Sequence, residues 1–236
     1  MGITERKERE FQRRERAILD AALGLCACDE WQSVTVDQIA ERAEIGKGTV
    51  YKHFASKDEI YARLAMDYKR RNLERLRRID PQLDVIQRLR AMIAVFWDTA
   101  LAGAEYQRLV QYVEREDFRL GLPEGLRAEF EELDREFNEV IGAVLEEGMR
   151  RHLLPRKRPD QLLFGPMAAL TGARQMVWGG CLRCEVPPEN FLEELSNFVL
   201  AGMLYQEWLA EEGLIDDDAV RRALAAASTG SEAVRG

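Results

Sequence analysis

Lys47, Thr49 and Lys52 are the polar members of one short predicted helix, 47–53, whose Val50 and Phe54 fall four residues apart on an apolar face. Ammonium and hydroxyl groups presented by such a helix can donate to base edges in a DNA major groove. Thr35 and Ser56 each open another helix, and free N–H groups at a helix start can take a phosphate. Arg174 is a charge on an otherwise apolar helix. It is a candidate partner for an anionic head group such as a carboxylate, or else a surface or dimer-interface arginine. Cys26-Ala27-Cys28 and Cys181-Leu182-Arg183-Cys184 could hold zinc or work as a redox switch. The two pairs belong to different regions and neither His53 nor His152 joins them, so ordinary buried thiols are the alternative. No GxSxG, HExxH, P-loop or dinucleotide fingerprint is present. Carboxylate pairs along 126–151 read as solvated faces. No enzyme activity, cofactor or metal is expected.

The elements that must position these groups are helical. Phe11, Ile18, Ala22 and Leu25 recur at helical spacing, predicting a first helix over about 4–28 with a basic, exposed start. Thr35 with Gln38 forms a capping box, and Val34 with Ile39 a hydrophobic staple, so a short helix starts at Val36 and ends near Ala43. Glu44-Ile45-Gly46 is a tight turn in which Gly46 is free to take positive φ. Two short helices joined by such a turn make a helix-turn-helix. Ser56-Lys57-Asp58-Glu59 is a second capping box, opening a helix that Asp80-Pro81 stops. Further helices are predicted over 83–101, 105–115, 126–151, 160–178 and 189–211, with a short last one over 216–227 and a frayed end at 228–236. Gly165-Pro166 either kinks the helix over 160–178 or marks a restart at Pro166. No segment keeps a period of two, so an all-α protein is expected.

Composition bounds the remaining choices. The 236 residues are 46% hydrophobic and 32% charged, a globular profile that excludes a disordered chain. No stretch approaches the roughly 20 apolar residues of a membrane span, and the charged start is no export signal, so a reduced cytoplasmic setting is expected. The net charge of −8 hides an asymmetry. Residues 1–80 carry 17 Lys and Arg against 15 Asp and Glu; residues 81–236 carry 17 against 27. A slightly basic head on an acidic body suits a small nucleic-acid module joined to a body of another purpose. The basic run Lys69, Arg70, Arg71, Arg75, Arg77 and Arg78 reads as a solvated face.

Residues 35–60, from Thr35-Val36-Asp37-Gln38-Ile39-Ala40 through Ile45-Gly46-Lys47-Gly48-Thr49-Val50-Tyr51-Lys52-His53-Phe54 to Ser56-Lys57-Asp58-Glu59-Ile60, closely resemble the tetracycline-repressor (TetR) family. Glu44 stands where that family has glycine, and Ile60 where it has leucine. The resemblance implies a three-helix DNA-binding head, residues 1–58, and a helical effector-binding and dimerisation body, residues 59–236, with the helix after Ser56 as connector. It implies phosphate contacts from Thr35, Tyr51, His53 and Lys57, beside the candidate readers Lys47, Thr49 and Lys52, with Gly48 as a further DNA-binding position. The expected partners are double-stranded operator DNA with a palindromic site, a second copy of the chain, and a small, fairly apolar acyl or aromatic effector that releases a repressor; no membrane is expected. Small residues at Gly165, Ala168, Ala169, Gly172 and Ala173 would let helices of two subunits approach closely. Met92, Phe96, Trp97, Tyr106, Tyr112, Arg174 and Trp178 are the candidate effector contacts, although any one such aromatic is more often a core residue than a ligand wall. Two alternatives stay open: a thiol- or metal-sensing regulator using Cys181 and Cys184, and a helical interaction protein without operator specificity.

Overall fold

The computed structural model describes residues 3–27, 30–101, 103–178, 187–205 and 218. Among these there are ten α-helices and no strand. Helix α1 (Ile3–Leu25) buries Ile18, Leu19 and Ala22 and leaves its charged first half in solvent. A 3-10 turn at Trp31–Ser33 leads to α2 (Val36–Arg42), α3 (Lys47–His53) and α4 (Lys57–Arg77). Helices α2 and α3 have seven residues each, too short to persist alone, and are held by packing and caps. Gln38 N–H donates to Thr35 Oγ1 at 3.3 Å, and the Thr35 N–H donates to Gln38 Oε1 at 2.8 Å. The staple forms as expected, Val34 and Ile39 both being buried. At the second capping box Glu59 N–H donates to Ser56 Oγ, whereas the Glu59 carboxylate accepts from the N–H of Ala55, one residue earlier than expected.

The turn between α2 and α3 departs from expectation. Gly46 has φ −70 and serves as the N-cap of α3, while the left-handed residue is Glu44, with φ 56. The chain must reverse directly after α2, so the strained position falls at the residue following the C-cap and not at the glycine. A non-glycine there costs roughly 1 kcal/mol.

The body comprises α5 (Val85–Leu101), α6 (Ala104–Val113), α7 (Glu116–Gly121), α8 (Glu124–Arg150), α9 (Pro159–Trp178) and α10 (Leu192–Leu204). Helix α7 was not visible as a separate element in the sequence. It has six residues and contributes one buried side chain, Phe118, so no periodicity could reveal it. Helix α9 runs through Pro166 without a restart. Of the segment expected as one helix over 189–211, the described part is a 3-10 turn at Pro188–Phe191 followed by α10, and residues 206–211 lie outside the described residues. The expected helix over 216–227, the end over 228–236, and Cys28, Cys181 and Cys184 lie outside the described residues, Asp218 excepted.

Helix α4 links head to body. Its inner face, including Ile60, Tyr61, Leu64 and Leu73, packs against α1, α5, α6 and α8. Its outer cations are not all a solvated face, for carboxylates of α8 stand opposite several of them, while Arg78 stays exposed. Arg63 pairs with Glu129 at 2.5 Å, Arg77 with Glu136 at 2.6 Å, and Lys69 with Asp134. Arg75 pairs with Asp98 of α5 at 2.6 Å. Exposed pairs contribute about 0–1 kcal/mol each, so the ladder fixes the register of α4 on α8 more than it stabilises the fold.

Candidate nucleic-acid interface and effector cavity

The first turn of α3 presents its groups to solvent because Val50, fully buried, and Phe54 pin the opposite side. Lys47, Gly48 and Lys52 are exposed, Thr49 is half-exposed, and Tyr51 is 49% exposed although aromatic. No atom lies within 4 Å of the space a Cβ on Gly48 would fill, so its backbone faces open solvent. Lys47 Nζ pairs with Asp37 Oδ2 of α2 at 2.7 Å, and this hydrogen bond raises its pKa. Thr35, at the start of α2, is exposed too.

Two members of the set are differently employed. Lys57 Nζ donates to the Gln32 carbonyl at 2.8 Å and lies 5.7 Å from the Tyr61 ring, so it braces the 3-10 turn against α4. His53 is half-buried, with its ring centroid 4.0 Å from that of Phe11. Its Nδ1 is buried without a hydrogen-bond partner. Burial lowers its pKa, opposed by Glu15 and aided by Arg14. The ring is therefore neutral near pH 7.

The expected effector contacts do not form one group. Met92 and Phe96 of α5 line an apolar cavity of about 40 Å³ that is closed by α8, α9 and α10. Trp97 is buried, its indole N–H without a partner. Tyr106 stacks on Tyr68 of α4 at 4.8 Å and accepts a hydrogen bond from Arg71 at 3.1 Å. Tyr112 meets Trp31, Tyr61 and Phe118 edge-on, in an aromatic cluster that joins the head to α4, α6 and α7. Arg174 is half-buried with its Nε unpartnered. The Trp178 side chain is outside the described residues. Sequence periodicity marks helix faces but not which faces meet, so it could not separate the cavity from the Tyr112 cluster. It also missed Arg108, whose partners are the Cys26 and Ala27 carbonyls more than eighty positions away. No local pattern signals such a pair. Among the described residues no group of three or more His, Cys, Asp or Glu could hold a metal ion, and no helix is long and apolar enough to cross a membrane.

A pair of short helices joined by a tight turn, whose second member turns its polar side to solvent, has the form of a helix-turn-helix. Residues 18–64 match the bacterial regulatory proteins of the tetR family. Over this stretch, about a fifth of the chain, the sequence is similar to the N-terminal domain of that family. The fold agrees along its length. The fatty acid degradation regulator FadR from Bacillus halodurans is 17% identical, with a TM-score of 0.65 over 80% of this chain and 95% of that one. The transcriptional regulator FadR from Bacillus subtilis, solved in complex with stearoyl-CoA, is 16% identical, with a TM-score of 0.65 over 80% and 98%. A tetR-family regulatory protein from Rhodococcus RHA1 is also 16% identical, with a TM-score of 0.65 over 80% and 96%. No curated protein matches the sequence.

Proposed function

We propose that the chain is a transcriptional repressor that binds a palindromic operator as a homodimer and is released by a small, largely apolar effector. The exposed polar face of α3, held by Val50 and Phe54, is the observation that carries this reading. In this reading residues 1–58 bind DNA, with Lys47, Thr49 and Lys52 at base edges and Thr35, Gly48 and Tyr51 at phosphates, while His53 supports the head through its ring contact with Phe11. Lys57 contributes through the turn it braces. Residues 59–236 bind the effector and dimerise, and α4 carries the change of state.

One seven-residue helix reads too few bases for useful specificity, so a second copy is needed. Helices α9 and α10 supply a surface for it. Phe164 is 76% and Phe198 71% exposed, with Met167, Met176 and Tyr205 also open. Gly165 and Gly172 on α9 have nothing within 4 Å of a Cβ position. Several large apolar side chains left open on two adjoining helices support an interaction surface there. The apolar lining of the cavity between α5, α8, α9 and α10 supports an acyl or aromatic effector, as does the stearoyl-CoA bound by the B. subtilis regulator of like fold. The effector acts by binding the two states with different affinity.

The experiment is selection of bound sequences from a random DNA pool by the purified chain at near-physiological salt. A recovered palindrome is the expected result. Failure to enrich any sequence, before and after extraction of bound lipophiles, sinks the repressor reading and leaves a helical interaction protein.

A further inference from the structure

Arg174 sits where its charge is poorly served. Its Nε is closed off from solvent and has no hydrogen-bond partner. Desolvation lowers its pKa, and the groups that oppose this, Tyr68 and Glu114, act only through space. Glu114 is itself paired with Arg119 at 2.7 Å. A guanidinium whose Nε is desolvated and unpaired carries a cost that a ligand carboxylate would offset by accepting that N–H and supplying the counter-charge.

Its place on α9 tells what that ligand carries besides charge. Leu163, Pro166, Met167 and Leu170 line the apolar cavity. Arg174 follows Leu170 by four residues, which sets it on the same face one turn further along. Leu163 and Arg174 are thus about 16 Å apart along the helix axis, and because the cavity measures only about 40 Å³, a chain of that reach enters only as the lining repacks. Met92, Met167 and Met203 line the cavity, and methionine repacks easily around an inserted chain.

We propose that α9 forms a two-part site for an amphiphilic carboxylate, with the apolar tail in the cavity and the carboxylate on Arg174. The inference rests on the effector reading above and narrows its chemistry to an acid. A carboxylate can take two parallel N–H bonds from a guanidinium, whereas an alcohol or a thioester brings no charge to that point.

The test compares the full-length wild type with Arg174→Met by calorimetry. The probes are myristate against 1-tetradecanol, 2-naphthoate against 2-naphthol, and myristoyl-CoA. Wild type is expected to bind at least one acid tenfold or more tightly than its alcohol. Arg174→Met should erase that preference while binding the alcohol as wild type does, and the ligand-free variant should melt no lower than wild type. A preference that survives in Arg174→Met overturns the proposal, whether or not the variant also loses dimer. Equal binding of acid and alcohol by wild type, or binding of myristoyl-CoA alone, overturns the carboxylate and leaves the apolar-effector reading standing. If wild type binds none of the probes, both readings fall. A lowered melting point in the ligand-free variant shows that the guanidinium already has a partner within the fold, and overturns the proposal as well.

Discussion

Arg108 of α6 donates to the Ala27 carbonyl at 2.6 Å and to the Cys26 carbonyl at 3.3 Å. Both carbonyls lie just past the C-terminal end of α1 (Ile3–Leu25), where C=O groups lack helical partners and the helix dipole is negative. A body helix therefore grips the first helix of the head without passing through α4. Gln111 donates to Gln175 at 2.9 Å, so the same helix is tied to α9. Arg108→Ala is expected to lower stability by about 1–2 kcal/mol in urea unfolding. It should leave operator affinity nearly unchanged without effector and blunt the release caused by one. Full release from the variant would show that α4 carries the coupling unaided.

Glu44 holds a left-handed backbone at φ 56 that glycine adopts without strain. Glu44→Gly is expected to stabilise the chain by up to about 1 kcal/mol, the relief of strain being partly offset by the greater freedom of the unfolded chain. Thermal unfolding measures it. An unchanged or lower melting point would mean that the Glu44 side chain compensates for its backbone.

The Lys47–Asp37 pair competes with DNA for the lysine ammonium. Asp37→Asn frees Lys47 and removes a negative charge from the operator-facing side. Binding should tighten several-fold, and the slope of log affinity against log salt should steepen by about one. Weaker binding would assign Asp37 a role in holding α2 against α3.

Tyr51 and Thr49 are expected to differ in kind. Tyr51→Phe removes the hydroxyl that the proposed reading sets against phosphate, and should weaken binding evenly across operator variants. Thr49→Ala should change preference among them, by about 1–3 kcal/mol at the affected base pair. Competition assays on a panel of single-base operator variants separate the two. An even loss for Thr49→Ala would remove it from the base readers.

His53 is buried with its pKa lowered, so the folded state binds a proton less readily than the unfolded one. The stability this contributes is complete above the unfolded value of about 6.5 and is lost as pH falls from there through the folded value. His53→Phe keeps a ring against Phe11 and cannot titrate. Wild type should lose melting temperature relative to this variant between about pH 7.5 and about pH 5.5. Parallel curves would mean that His53 does not titrate differently on unfolding.

Much of the head was legible because its signals are local. The Thr35–Gln38 box, the Val34–Ile39 staple and the bounds of the helix from Lys47 to His53 all depend on residues within five or six positions of each other. The left-handed residue was misplaced because both Glu44 and Gly46 fit the turn, and intrinsic preference favours the glycine. The body was legible only as helices. Arg63 and Glu129 are 66 residues apart, and nothing in either neighbourhood says that they meet. For the same reason Tyr106 and Tyr112, which resemble Phe96 in sequence, stand in different aromatic groups from it.

The ladder between α4 and α8 also bears on how operator binding responds to ionic strength. Arg63, Lys69 and Arg77 already have their countercharges in Glu129, Asp134 and Glu136, so they hold no phosphate and displace no condensed cation from the duplex. On the proposed reading, the salt exponent of operator binding is expected to count cations of the head and not these three. It becomes a ruler for the reading surface, indifferent to the many arginines just behind it.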